Sequence, residues 1–130
     1  MRGNKLAGVL LVASLLMAGG SVLLTGQTHP SKNGDDLFER RCSGCHALDR
    51  DKEGPRLGGV YGRKAGSVDS FSYSDALKNS NITWNEESLQ KWLTDSEQLV
   101  PNNNMTFRVE NADERLAIIA YLKQNSGKQH

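Results

Sequence analysis

Both cysteines of this 130-residue chain fall within five consecutive positions, Cys42-Ser-Gly-Cys45-His46. Two thiols at this spacing, followed at once by an imidazole, form the pattern by which haem is attached to a polypeptide. The thiols add across the two vinyl groups and fix the macrocycle against this turn of chain, and the histidine is aimed at the iron. The imidazole must be neutral to donate one ring nitrogen, and its other N–H needs an acceptor to orient the ring. The carbonyl of Pro55 is the candidate acceptor. Three rival readings compete for the motif. A thioredoxin-like redox pair wants a βαβ setting, which the sequence does not offer. A zinc site wants four ligands, against two cysteines and His29, His46 and His130 here. A structural disulfide across so short a loop would remove little unfolded-chain entropy.

Only 6% of residues are aromatic and 13 are glycine, so a core made of protein alone would be thin for this size. One large apolar cofactor would fill it. Beyond Met1 and Met17 the only methionine is Met105, in the polar loop Val100-Pro-Asn-Asn-Asn-Met105-Thr-Phe107. A methionine is ordinarily a packing residue, but in such a loop, in a chain with a haem motif, Met105 is the candidate second axial ligand beside His46. His29 and His130 are rivals placed near the chain ends, where holding a ligand costs most entropy. A His/Met pair fills both axial positions, which points to electron transfer and to no catalytic residue. The neutral soft thioether favours ferrous iron and raises the reduction potential.

The chain begins with Arg2 and Lys5 and then runs without a charge from Leu6 to Leu24. Residues 1–24 therefore read as a signal peptide or an uncleaved membrane anchor. Ala18-Gly19-Gly20 supplies the small residues a signal peptidase requires, while the apolar run of 6–24 is about long enough to span a membrane. Either fate places the rest outside the cytoplasmic membrane, in a bacterial periplasm, soluble or anchored. Residues 25–32 read as a linker, 33–126 as one domain and 127–130 as a tail. After residue 30 there are 14 Lys plus Arg against 15 Asp plus Glu, with no basic cluster of the kind nucleic acid requires.

Asp35 to Cys42 reads as a helix with Leu37 and Phe38 on its apolar edge and two aspartates at its N-terminal end. Gly54 to Gly66 is too glycine-rich for a regular element and matches no nucleotide fingerprint. Ser74 to Lys78 reads as a short helix. Thr83 with Glu86 resembles a capping box that opens a helix to about Asp95, carrying Leu89, Trp92 and Leu93. Asn111 with Glu114 repeats the device before a last helix, ending near Gly127, in which Leu116, Ile119, Ala120 and Leu122 have helical spacing.

With these residues in place, positions 34–125 resemble class I cytochromes c, of the mitochondrial type and its bacterial cytochrome c2 relatives. The likeness rests on Cys42 to His46, Gly54 to Arg63, Phe71-Ser-Tyr-Ser-Asp75, Ile82-Thr-Trp84 and Pro101 to Phe107. It implies an all-α fold of about five helices around one covalent haem c, bonded to Cys42 and Cys45, with His46 and Met105 on the iron. It also implies a crossing of first and last helices, where Gly34 and Phe38 meet Ile118 and Tyr121. Pro55 falls where the family orients the proximal histidine, and Arg63, Tyr73 and Trp84 where it stabilises buried haem propionates. Taken alone, Tyr73 and Trp84 would be packing aromatics and Arg63 a surface charge.

The departures concern the partner and the pocket. The family's mitochondrial members ring the haem edge with lysines, whereas this chain has Asp95-Ser-Glu-Gln98 and Asn104 there, leaving Arg41, Lys52 and Lys64. Leu77 and Trp92 stand where an Asn and a Tyr form a polar network near the methionine, which predicts an apolar replacement of that network. The expected function is a periplasmic one-electron carrier between redox proteins such as a quinol-cytochrome c reductase and a terminal oxidase. The alternatives are a peroxidase-like haem enzyme or ligand sensor, and a cytochrome subunit of a larger oxidoreductase complex.

Overall fold

The computed structural model describes residues 33–127. The expected leader, the linker and residues 128–130 of the tail lie outside the described residues. Five helices follow one another: α1 (Asn33–Arg41), α2 (Asp75–Lys78), α3 (Glu86–Thr94), α4 (Ser96–Leu99) and α5 (Ala112–Gln124). Among the described residues there is no strand, only an isolated antiparallel bridge between Lys64 and Thr83. No described helix is long and apolar enough to cross a membrane.

Helix α1 carries Asp35 and Asp36 in its first turn and Arg40 and Arg41 in its last, both matched to the helix dipole. It crosses α5, and the crossing depends on one missing side chain. A Cβ on Gly34 would lie 2.8 Å from the carbonyl oxygen of Ala117 and 3.0 Å from Tyr121 Cβ, so only glycine lets the backbones approach. Beside it the rings of Phe38 and Tyr121 pack with centroids 5.3 Å apart, and Arg41 pairs with Glu114 at 2.9 Å. That ion pair is exposed, so it adds at most about 1 kcal/mol; the aromatic and aliphatic packing holds the crossing.

Two local readings are corrected. The cap of α3 is Asn85, whose side chain accepts from Ser88 N at 2.9 Å while Ser88 Oγ accepts from Asn85 N at 2.8 Å. Thr83 is taken by the bridge to Lys64, and the helix starts later than Thr83 would set it. In α5 the cap is Asn111, as expected, but Leu116 is 46% exposed and Ala120 is also exposed. The buried residues are Ile118, Ile119 and Leu122. Ala117 and Tyr121 turn toward α1, so α5 is covered on two adjoining faces, and the apolar stripe is displaced from the one that spacing alone suggests. The short α4 was not anticipated; Asp95 ends α3 and caps α4, accepting from Gln98 N at 3.1 Å.

Candidate cofactor site

The cysteine motif is a continuation of α1. Cys42 N and Ser43 N both donate to Phe38 O, at 2.8 and 3.0 Å, and His46 N donates to Cys42 O at 2.8 Å. The chain then doubles back, with Gly54 N donating to Cys45 O at 2.8 Å. This brings Pro55 beside the imidazole, and His46 Nδ1 lies 2.8 Å from Pro55 O, the bond the sequence suggested. Donation from Nδ1 leaves Nε2 as the nitrogen with a free lone pair. A Cβ on Gly54 would fall 2.2 Å from His46 Cε1, so the ring rests against bare backbone. Burial lowers the His46 pKa, the Pro55 bond opposes that, and Lys52 adds to the lowering; the net direction keeps the ring neutral.

Cys42, Cys45 and His46 open onto a cavity of about 470 Å³. Met105 also lines it, together with the apolar side chains of Leu57, Val60, Trp84, Leu89, Trp92, Leu93, Ile118 and Leu122. All of the cofactor-contact residues named from the sequence, including Pro55, Arg63 and Tyr73, line this one space. A somewhat larger hollow, about 540 Å³, lies on the other side of His46. It is an open cleft edged by Asp35, Asp36, Glu39, Arg50 and Lys52, unsuited to an apolar macrocycle.

Three features fit haem c in the apolar cavity. The cysteines form no disulfide, and burial pushes the Cys42 thiol up to about 11, which leaves it neutral and available for addition to a vinyl group. Among the described residues no three His, Cys, Asp or Glu side chains group as a metal site, and the zinc candidates His29 and His130 lie outside them. Arg63 is half buried, donates to Gly58 O at 3.1 Å and to Arg56 O at 2.9 Å, and has no carboxylate partner among the described residues. A partly desolvated cation whose nearest carboxylate, Asp51, acts on it only from a distance is the complement of an anionic propionate. Tyr73 is beside it, its hydroxyl pKa raised by burial and opposed by the Arg63 charge.

The Met105 side differs from the sequence reading. Trp92 and Trp84 meet edge to face with centroids 5.2 Å apart, and Trp92 Nε1 donates to Met105 Sδ at 3.2 Å. The replacement of the polar network is therefore not wholly apolar: indole keeps a donor on the thioether, and Leu77 removes the rest. Around Met105 the sequence missed most of the support. Buried Ser96, 2% exposed, donates its hydroxyl to Met105 O. Met105 N donates to Asn103 Oδ1 at 2.7 Å, and Asn103 Nδ2 donates to Val100 O at 2.9 Å. Asp95 and Arg108 close the base of the loop at 2.9 Å. A serine in a polar loop gives no signal of burial, so these ties were legible only from the fold.

The family model of cytochrome c matches residues 31–126. The chain belongs to the cytochrome c family. It is a class I cytochrome c, and proteins of this family bind one covalent haem c and carry electrons. It is 39% identical to cytochrome c of Gibberella zeae over 85% of this chain and 99% of that protein. It is 44% identical to cytochrome c2 iso-2 of Magnetospirillum molischianum over 63% of this chain and 88% of that one. Among solved structures, cytochrome cH from Methylobacterium extorquens matches with a TM-score of 0.67 and 39% identity, covering 71% of this chain and 95% of that one. The helical architecture expected from the sequence is thus that of the family, and the cofactor is haem c.

Proposed function

We propose that this cytochrome c is a periplasmic one-electron carrier in which Cys42 and Cys45 hold the haem, and His46 and Met105 take its two axial positions. The observation that supports it is that these four residues line one largely apolar cavity. Bound haem c supplies an iron(II)/iron(III) couple. The chain's residues would do the rest: burial keeps the His46 ring neutral and Pro55 O fixes its orientation, Trp92 would orient Met105, Arg63 and Tyr73 would hold the propionates, and the apolar wall would exclude water. Apolar surroundings disfavour the more highly charged oxidised centre, so the potential is high.

On this reading residues 1–24 direct export or anchor the chain, 25–32 form a linker, and the donor and acceptor are redox proteins such as a quinol-cytochrome c reductase and a terminal oxidase. The enzyme or sensor reading requires an axial position that opens, and the bonds that hold the Met105 loop favour the carrier. Holoprotein carrying Met105→Ala should lose the near-infrared sulfur-to-iron band, show a lower potential and bind carbon monoxide readily. An unchanged band and potential would remove Met105 from the iron.

A further inference from the structure

The Arg63 guanidinium lines the haem cavity, yet it is placed by groups that lie outside it. Its donation to Arg56 O at 2.9 Å and to Gly58 O at 3.1 Å makes its position follow that of the Arg56 peptide. Asp51 grips the N–H of the same residue, Oδ1 accepting from Arg56 N at 2.8 Å. Oδ2 accepts from Ser70 Oγ at 2.5 Å. Arg56 Nη1 donates to that hydroxyl at 2.8 Å and stands 3.7 Å from the carboxylate. Ser70 in turn leads into Phe71 and Tyr73, whose rings pack with centroids 4.9 Å apart and line the cavity. Asp51, Arg56 and Ser70 do not line it, so their bonds to one another stand apart from the cofactor. One carboxylate, its side chain 21% exposed, thus ties the stretch that carries Arg63 to the stretch that carries Tyr73.

We propose that Asp51 is a positioning residue for electron transfer: by fixing the Arg56 peptide and Ser70 it holds Arg63 where the guanidinium offsets propionate charge, and so raises the reduction potential. The proposal rests on the carrier reading, in which Arg63 and Tyr73 hold the propionates, and assigns a role to a residue that touches no part of the cavity. The sign of the effect separates this role from a simple charge effect. A negative charge near the haem favours ferric iron, so losing the carboxylate's charge alone would raise the potential. That direct field is small, because Arg56 and Arg63 both face Asp51 and offset it. Losing the clamp has the opposite result. Arg63 is then free to turn toward water, where solvent and salt screen its charge from the propionates, and the potential falls.

The test is redox titration of holoprotein carrying Asp51→Ala in two backgrounds, the parent and Arg63→Gln. Asp51→Ala should lower the potential in the parent and should not lower it in Arg63→Gln, where there is no guanidinium left to position. Ser70→Ala keeps the carboxylate and its bond to Arg56 N, removes no charge, and should shift the potential in the same direction by less. If Asp51→Ala does not fold, Ser70→Ala in the same two backgrounds decides the question. A parent-background potential that does not fall, or a fall as large in Arg63→Gln, would overturn the proposal; a tie that only supports the fold moves the denaturant midpoint and leaves the potential alone. The carrier reading is tested separately by the parent and by Arg63→Gln alone. A parent with no reversible one-electron wave, or Arg63→Gln with the parent's potential, refutes that reading of the site. A normal wave that Arg63→Gln shifts down and Asp51→Ala leaves in place refutes only the positioning role.

Discussion

On the proposed ligation, Trp92 would set how Met105 meets the iron. A thioether sulfur has two lone pairs, and on the proposed ligation one goes to iron while the other accepts from Trp92 Nε1 at 3.2 Å. The indole draws density from the sulfur, weakens its donation and favours ferrous iron. Being a donor only, it cannot extend the bond into a chain of hydroxyls and water, and Leu77 on the cavity wall offers no polar atom to continue one. Trp92→Phe keeps an aromatic ring against Trp84 but loses the N–H. The variant should be about 1 kcal/mol less stable, the size of a neutral hydrogen bond. If about 0.5–1 kcal/mol of that bond is specific to the reduced state, the potential should fall by about 20–40 mV for one electron. Redox titration and denaturant unfolding of the same holoprotein measure both. Much at this scale was legible: the Cys-x-x-Cys-His spacing, the single methionine outside the first 24 residues and Pro55 beside His46 are local facts of the chain. The donor on Met105 was not, because residues 13 apart meet only when α3 and the following loop pack together.

The loop after α3 is held from several sides, and on the proposed ligation its rigidity would decide whether the second axial position stays filled. Ser96 Oγ holds Met105 O, Asp95 and Arg108 close the base, and Glu97 holds the turn at Asn102. Asn102 has φ of 64°, a left-handed conformation that asparagine tolerates better than most residues. Ser96→Ala leaves the half-buried Met105 carbonyl without that partner and should destabilise the loop by about 1–2 kcal/mol. If opening limits ligand entry, carbon monoxide binding to the ferrous holoprotein should then quicken about tenfold or more in stopped-flow traces. A second tie joins the proximal loop to the segment before α2. Asp51 accepts from Arg56 N at 2.8 Å and from Ser70 Oγ at 2.5 Å. The Ser70 hydroxyl first, and then the Arg56 backbone bond, hold the Asp51 carboxyl below its ordinary range. A carboxylate depressed on folding stabilises the protein at pH above its unfolded pKa, and that contribution is lost as pH falls through the folded value. Asp51→Asn should therefore be less stable than the parent near neutrality, with the two unfolding curves converging in acid. Helices α1, α3 and α5 could be read from periodicity and caps. The misplaced cap at Thr83 and the outward Leu116 show the limit of that reading: a bridge to Lys64 and a crossing with α1 decide them, and both involve residues distant in sequence.

For the molecule as a whole, the cofactor cavity is a large part of the core. Val60, Trp84, Leu89, Trp92, Leu93, Ile118 and Leu122 are buried residues that also line the cavity. Helix α5 packs against α1 on one side and closes this space on the other. Left without haem, these seven side chains would meet water, at about 1.5–3 kcal/mol for each one fully exposed and so on the order of 10 kcal/mol in all. That is as large as the whole folding free energy of a typical domain, about 5–15 kcal/mol. A chain with six per cent aromatic residues has little other core with which to offset it. Collapse of the walls can recover part of the cost, but only by moving α3 and α5 inward and losing the α1–α5 crossing that Gly34 makes possible. The chain should therefore require haem to fold. Apoprotein produced without haem attachment is expected to show far-ultraviolet circular dichroism of a largely unfolded chain and no cooperative thermal transition, while the holoprotein shows both helix and cooperativity. An apoprotein that melted cooperatively with native helix content would mean that the α1–α5 pair and its neighbours are stable alone. The cavity would then be a pocket in a finished fold instead of the core around which the fold forms.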